Sequence, residues 1–176
     1  MSLKKDNYKS SDKKIMNFAI NLAENNKYIT GTNPSVGCVI VKNNKILSFA
    51  TTNYGGRPHA ESIALNKNRS NKGTSLYSTL EPCSHHGLTP PCTNAIIKNK
   101  VKIVYYSIAD KDLRTFNKTK QILKTKKIVA ISGLQKQKVK SLYSEYNYIR
   151  SNKAPYIIGK IASSSNLNIL RNSSPI

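Results

Sequence analysis

The sequence is poor in several features, and each scarcity excludes a class of protein. No apolar run approaches the roughly 20 residues that a bilayer-spanning helix needs, so we do not expect an integral membrane protein. The N-terminal segment lacks the apolar stretch of a secretory signal, and three cysteines among 176 residues do not make a disulfide framework. These absences predict a cytoplasmic protein of one domain, with no membrane partner.

Acidic residues are also scarce. Lys and Arg number 29 and Asp and Glu only 8, which gives a formal net charge of +21. Such an excess would suit a polyanion binder. However, Lys, Asn, Ile and Tyr, all encoded by AT-rich codons, make up 73 of the 176 residues, and only five of the basic residues are Arg. We therefore interpret the charge as codon bias and expect no specific nucleic-acid partner.

The chemically active residues are few, but they are concentrated in one segment. All three histidines and two of the three cysteines lie between residues 59 and 92. Between residues 25 and 109 the only acids are Glu61 and Glu81. Random scatter would not produce this grouping, so the segment is predicted to hold the functional site.

Apolar patterns alternate between strand and helix types along the chain. Continuous apolar runs are typical of buried strands, whereas spaced apolar residues beside Ser or Pro indicate helices. An α/β sandwich with a largely parallel second half is therefore predicted. Strands are expected over 36–41, 46–50, 76–80, 101–108, 127–131 and 155–162, and helices after Ser10 and Ser11, after Pro58, from Pro90, over 117–124 and through 139–149.

One imidazole and two thiolates stand at the predicted ends of these elements. His59 begins a helix, Cys83 follows a strand, and Cys92 begins the next helix. These are soft ligands suited to Zn²⁺, and three protein ligands leave a fourth position for water, as in catalytic sites. Glu61 lies two residues after His59 and is predicted to carry protons.

An alternative from a different class stays open. His85 or His86 could supply a fourth ligand and close the site. The chain would then be a non-enzymatic binding module stabilised by zinc. A structural site of that kind has no need of Glu61, which favours the catalytic interpretation.

The motifs resemble those of one deaminase family. Zinc deaminases carry H-x-E followed by P-C-x-x-C, but here the second cysteine lies nine residues after the first. His-Ala-Glu, the long stretch TLEPCSHHGLTPPC and Asn-Pro-x-Val-Gly closely resemble the deaminase domain of the bifunctional riboflavin-biosynthesis deaminase/reductase (RibD type) over residues 12–162. The resemblance implies a three-layer α/β/α cytidine-deaminase-like fold with a mixed central sheet.

The same resemblance implies a reaction and a set of roles. The expected activity is that of a hydrolase acting on a cyclic amidine C–N bond, the deamination of 2,5-diamino-6-(5-phosphoribosylamino)pyrimidin-4-one to 5-amino-6-(5-phosphoribosylamino)uracil. One zinc ion per chain is expected, with no nicotinamide cofactor. A nucleoside, nucleotide or tRNA deaminase of the same superfamily is the alternative. The implied residues are His59, Cys83 and Cys92 for the metal, Glu61 for catalysis, and Asn33, His85 and Asp110 for substrate.

Two departures from the family pattern bear on substrate and domains. A base usually precedes Thr-Pro-Pro-Cys near the substrate phosphate, but Leu88 stands there, so phosphate recognition falls to Arg114 or Lys111 or is weaker. Residues 1–150 are expected to form the deaminase domain, and residues 151–176 a linker and the truncated start of a reductase-like domain. A fragment, a split gene and a stand-alone deaminase all fit this domain pattern. A homo-oligomer is also compatible with the sequence.

Overall fold

The computed structural model describes residues 8–163, which form one five-stranded sheet with helices on both of its faces. The strands are β1 (Gly37–Lys42), β2 (Lys45–Thr51), β3 (Ser75–Leu80), β4 (Ile103–Ile108) and β5 (Val129–Ser132). The helices are α1 (Ser10–Asn25), α2 (Ala60–Asn66), α3 (Cys92–Lys98), α4 (Thr119–Thr125), α5 (Lys136–Leu142) and α6 (Ser144–Asn152).

The sheet is mixed, as predicted. Its strand order is β2-β1-β3-β4-β5. Strand β1 runs antiparallel to both β2 and β3, whereas β3, β4 and β5 are mutually parallel. The start of β1 and the ends of β2, β3 and β4 consequently meet at the same edge of the sheet. The loops that carry the predicted site residues all leave from this edge.

Two helical layers enclose the sheet. Helix α1 packs on β1, β2 and β3 beside α5, which covers β4, while α2, α3 and α4 form the opposite layer. The approach of α1 to β1 is very close, because a Cβ at Gly37 would lie 1.9 Å from the backbone oxygen of Ala19. Glycine is therefore required where the first helix crosses the first strand. Cys38, the next residue, is fully buried in the core.

Two predictions about helices are corrected in detail. Ser10 is the first helical residue rather than a cap, and Lys9 occupies the cap position without a side-chain bond. The last predicted helix is two helices, which break at Tyr143. Tyr143 is 1% exposed, and its hydroxyl bonds to Thr79 Oγ1 at 2.6 Å and to the Ser35 carbonyl at 3.0 Å, so it serves the core instead of continuing a helical face.

The strand predicted over 155–162 is wrong, since these residues have no strand pairing in the structure. Tyr156 and Ile158 instead line a groove with residues of α5 and α6. Residues 164–176, which include most of the expected reductase-like segment, lie outside the described residues. Within residues 8–163, no helix is long and apolar enough to cross a membrane.

Candidate metal centre and active-site pocket

The three predicted ligands converge at the sheet edge. His59 caps α2, Cys83 lies three residues beyond β3, and Cys92 is the first residue of α3. The His59 Nδ1 atom is 3.5 Å from Cys83 Sγ and 3.4 Å from Cys92 Sγ. All three ligand atoms lie within 4.8 Å of one another, and we call this group the metal cluster.

The spacing of the metal cluster fits zinc. A tetrahedral ion with Zn–N near 2.0 Å and Zn–S near 2.3 Å separates its nitrogen and sulfur ligands by about 3.6 Å, close to the distances found. Two thiolates and an imidazole form the donor set that Zn²⁺ favours. The chain therefore carries a zinc site. Within residues 8–163 the cluster has three members, so a zinc ion held there would take its remaining ligand from outside these residues.

Neighbouring groups prepare Cys83 to hold a cation. The Cys92 thiol and amide donate to Cys83 Sγ, and together with His59 they lower the pKa of Cys83 to about 4. The resulting Cys83 thiolate raises the pKa of the buried Cys92 thiol. A cation that takes both sulfurs as ligands displaces their protons, because metal ions bind the thiolate form.

Glu61 lies in the first turn of α2, beside the metal cluster but outside it. The residue is 3% exposed, and its Oε1 accepts a hydrogen bond from Ser78 Oγ at 3.1 Å. Its Oε2 lies 3.5 Å from Cys92 Sγ. Burial is the main cause that raises the pKa of this carboxyl above its ordinary value. A buried carboxyl beside the metal cluster is positioned to exchange protons with a group bound there.

The predicted substrate residues gather in one pocket above this cluster. Its lining includes Asn33, His59, Glu61, Cys83, His85, Asp110 and Arg114. Cys92 is not part of this lining, but its sulfur lies 3.4 Å from His59 Nδ1 and its backbone N–H donates to Cys83 Sγ. The structure therefore brings the predicted metal, catalytic and substrate residues to the same place, from loops that are up to about 80 positions apart in sequence, whereas Lys111 does not line the pocket.

Two of the predicted substrate residues are oriented by neighbours. Asn33 Nδ2 donates to the Gly56 carbonyl at 3.3 Å. A Cβ at Gly56 would lie 2.3 Å from this same Nδ2 atom, and the residue has a φ of +89°, so only glycine fits there. His85 Nδ1 is 2.9 Å from the hydroxyl of buried Thr115, which fixes the ring in the pocket.

Asp110 belongs to a buried network that shapes the pocket wall. Its Oδ1 accepts from the Tyr146 hydroxyl at 2.9 Å and from the Asp112 amide at 3.0 Å. Glu81 accepts three backbone N–H bonds, from Asp110, Asn117 and Thr119. These bonds tie the loop after β4 to the end of β3.

Three arginines surround the mouth of the pocket: Arg57, Arg114 and Arg150, which we call the arginine rim. Arg114 binds Asp112 through two bonds, of 2.9 and 2.5 Å, and Arg150 lies 3.8 Å from the same carboxylate. The Arg114 bonds hold the pKa of Asp112 well below its usual range. Arg57 donates instead to Thr89 Oγ1 at 2.8 Å.

Sequence patterns missed several of these contributors. Ser78, Thr115 and Arg150 act through long-range contacts for which periodicity carries no signal. Arg57 could have been found, because it directly precedes the Pro58-His59 pair and arginine is rare in this chain. The described lysines do not line this pocket, although they outnumber the arginines almost fivefold in the sequence.

The sequence that forms this site matches a known protein family. The family profile described as "Cytidine and deoxycytidylate deaminase zinc-binding region" matches residues 9–108. "Riboflavin biosynthesis protein RibD" of Aquifex aeolicus is 37% identical over 152 residues, which cover 86% of this chain and 43% of that protein. The chain thus spans less than half the length of this relative.

A shorter relative and a solved structure agree with this similarity. The "Diaminohydroxyphosphoribosylamino-pyrimidine deaminase" of Buchnera aphidicola is 41% identical over 124 residues, 70% of this chain and 84% of that protein. The RibD structure from Acinetobacter baumannii (form 1) superposes with a TM-score of 0.81 at 37% identity, covering 89% of this chain and 44% of that one.

Proposed function

We propose a reaction for this chain from one premise: it belongs to the zinc-binding cytidine and deoxycytidylate deaminase family, and within it to the RibD-type deaminases. The proposed activity is the hydrolytic deamination of 2,5-diamino-6-(5-phosphoribosylamino)pyrimidin-4-one to 5-amino-6-(5-phosphoribosylamino)uracil. One observation carries the proposal: a buried Glu61 lies beside a three-member His/Cys/Cys cluster at the base of a pocket.

In this proposal His59, Cys83 and Cys92 hold the metal. Bound Zn²⁺ lowers the pKa of a water molecule to about 7 and so supplies a nucleophile at neutral pH. The neighbours of Cys83 lower its pKa to about 4, and the Cys92 amide donates to its sulfur at 3.2 Å. The two sulfurs and the imidazole are thus prearranged, because each is held at the end of a strand or the start of a helix.

Glu61 is the proposed proton carrier. Deamination replaces the amino group by the oxygen of water and releases ammonia, so one proton must move from the water to the ring nitrogen and another to the leaving amine. Ser78 fixes Oε1, which leaves the carboxyl held in place at the base of the pocket. Burial excludes bulk water and raises its pKa, which suits a group that both accepts and donates protons.

Asn33, His85 and Asp110 are the proposed substrate contacts, whereas Arg114 lines the same pocket but is paired with Asp112. Within residues 8–163 no hydrogen bond engages Asn33 Oδ1, so the amide oxygen is free to accept from a ligand. His85 uses Nδ1 for Thr115 and keeps Nε2 for the pocket. Asp110 is buried and takes part in the wall network, so we assign it one substrate bond at most beyond its structural bonds.

The binding-module alternative receives no support from the site. A closed structural zinc site has four protein ligands. His85 is bonded to Thr115 and is not a member of the metal cluster, and His86 is exposed. The described residues therefore leave an open coordination position, which favours an enzyme.

Ammonia release tests the proposal. Zinc-loaded protein is incubated with the phosphorylated pyrimidine, with cytidine, with deoxycytidylate and with tRNA, and ammonia is measured for each. We expect turnover with the phosphorylated pyrimidine at least tenfold above the others. Preferred turnover of cytidine, deoxycytidylate or tRNA would replace the proposed substrate by that one, and inactivity toward all four would contradict the proposal.

We further propose residues 1–150 as the deaminase domain, with residues 151–176 as a linker and the start of a reductase-like segment. The end of α6 at Asn152 supports this boundary. A cytoplasmic location is proposed because Cys83 and Cys92 must stay reduced to bind metal, and all three cysteines are free thiols.

A further inference from the structure

The loop between the two cysteine ligands presents an unexpected residue at position 88. The side chain of Leu88 is 89% exposed and does not line the pocket, whereas Gly87 and Thr89 on either side of it do. A leucine cannot pair with an anion. The pocket wall at this loop therefore needs its positive charge from another element if it is to hold a phosphate.

Arg57 reaches this part of the loop from the segment before α2. Its Nη1 donates to Thr89 Oγ1 at 2.8 Å, and its Nη2 lies 3.8 Å from the point where a Cβ on Gly87 would stand. The guanidinium thus bonds to Thr89 and borders the open space over Gly87, on either side of Leu88. Arg57 therefore brings a positive charge to the part of the pocket wall formed by residues 87–89, which carry no charge of their own.

The space over Gly87 is shared with a second polar group. His85 Nε2 also lies 3.8 Å from the same hypothetical Cβ position. A side chain at residue 87 would therefore approach both nitrogens, but glycine leaves the space between them free. An anion in this space would meet the Arg57 guanidinium, whose N–H groups donate to phosphate oxygens.

The charge of Arg57 is not compensated by an acid. In the arginine rim, Arg114 and Arg150 both lie within ion-pair distance of Asp112. Among residues 8–163, no carboxylate lies within 4.0 Å of Arg57. A half-buried guanidinium with one neutral partner keeps most of its five N–H donors, which match a phosphate in both charge and geometry.

We propose that Arg57, rather than Arg114 or a residue at position 88, is the specificity-determining contact for the phosphate of the substrate. Arg57 binds the phosphate over Gly87, Thr89 holds its guanidinium in place, and the neighbouring His85 bounds the same space. This inference rests on the proposed function for the identity of the substrate. The presence of an anion site beside Arg57 does not depend on the proposed function.

Steady-state kinetics on zinc-loaded wild type and Arg57→Ala test this assignment. Both are assayed with the phosphorylated pyrimidine and with its dephosphorylated ribosylamino counterpart. Loss of a charge-assisted contact to phosphate should raise KM for the phosphorylated compound roughly 10- to 100-fold, with kcat little changed. The KM for the dephosphorylated compound should stay as in wild type, because Arg57 then has no phosphate to meet.

Arg69→Ala is the matched control. It removes the same charge from an exposed position after α2 that does not line the pocket. We expect its KM for both compounds to match wild type. Equal KM changes in Arg57→Ala and Arg69→Ala would overturn the assignment and indicate a general field effect.

Position 88 provides a gain-of-function test in the same protein. Leu88→Lys alone should change KM little, because Arg57 already meets the phosphate. In the Arg57→Ala background, Leu88→Lys should recover at least part of the lost affinity, since a long flexible base can reach the same space. If Leu88→Lys tightens KM as much in wild type as in Arg57→Ala, Arg57 does not hold the phosphate.

Product binding separates a failure of this inference from a failure of the proposed reaction. Calorimetry with 5-amino-6-(5-phosphoribosylamino)uracil and its dephosphorylated form needs no turnover. A phosphate-dependent affinity that Arg57→Ala abolishes supports the anion site even if no ammonia is released. Deamination with a phosphate-dependent affinity that survives Arg57→Ala would keep the reaction and refute the role of Arg57.

Discussion

The base and the mouth of the pocket differ in burial and in the kinds of charged group that they carry. At the base, the metal cluster and Glu61 sit on the ends of short elements, and Cys92 and Glu61 are only 1% and 3% exposed. At the mouth, the arginine rim lies on loops and on α6, and the Arg114 and Arg150 side chains are 57% and 36% exposed. The base is therefore suited to chemistry, and the mouth to selecting and attracting an anion.

This contrast predicts different consequences for changes in the two regions. Interactions in a buried, low-dielectric base are strong and unscreened, so changes there should act on metal retention and kcat. Interactions at the exposed mouth are screened by solvent and salt, so changes there should act on KM and on modest stability terms.

Removing a sulfur ligand should have the largest effect. Cys83→Ala and Cys92→Ala each leave two protein ligands, so we expect loss of the zinc, complete loss of deamination, and lower thermal stability, since metal binding is coupled to folding. Elemental analysis and thermal melts measure these outcomes. Cys38→Ala is the matched control, a fully buried cysteine outside the metal cluster, and it should keep one zinc per chain. Full zinc occupancy in both ligand variants would refute the ligand set.

Glu61→Gln should separate metal binding from chemistry. The variant keeps the side-chain volume and all three ligands, so zinc should remain bound. Turnover should fall by roughly 10²- to 10⁴-fold, the usual cost of losing a general acid–base. Glu24→Gln, an exposed acid on α1, should leave kcat unchanged. Near wild-type turnover by zinc-loaded Glu61→Gln would show that another group moves the protons.

Ionic strength should distinguish the two regions without any mutation. The screening length falls from about 30 Å at 10 mM salt to about 8 Å at 150 mM, so attraction of a phosphorylated substrate weakens. We expect kcat/KM to fall by roughly threefold or more over this range, mainly through KM, while kcat stays constant. The dephosphorylated substrate should have a nearly flat profile. A salt-dependent kcat would mean that the base is less sealed from solvent than its burial indicates.

Asp112→Asn should have the smallest effect. Asp112 holds two arginines of the rim, but Arg114 is largely exposed, so we expect a loss of about 1 kcal/mol in the free energy of unfolding at pH 7. Because the folded pKa of Asp112 is depressed, its contribution is complete above the unfolded value of about 3.9 and is lost as the pH falls further. Urea unfolding at pH 7 and near pH 3 measures this. A difference that persists undiminished near pH 3 would exclude the ionised carboxylate as its source.

Local sequence patterns predicted the base of the pocket and most of the fold. Apolar runs over 36–41 and 76–80 correspond to β1 and β3, because strands buried on both faces have few alternatives to a continuous apolar sequence. His59, Cys83 and Cys92 stand where turn and helix-start signals already bring elements to an end. Histidine and cysteine are rare enough in this chain that these ligands can be identified before the fold is known.

The errors occur where distant partners decide the conformation. The helix break at Tyr143 depends on bonds to Thr79 and Ser35, far away in the sequence. The segment over 155–162 has strand-forming residues, but strand structure also needs a neighbouring edge, which these residues do not pair with.

By itself, then, the sequence determined the α/β layers and the residues of the metal cluster, since short-range periodicity and rare residue types specify both. Only the tertiary structure decided how the positive charge is used. Asp112 occupies Arg114 and Arg150, whereas Thr89 holds Arg57 over a glycine from 32 residues away. Pairing between distant charges depends on where the backbone brings them, and composition cannot distinguish a neutralised arginine from one that is available to a ligand.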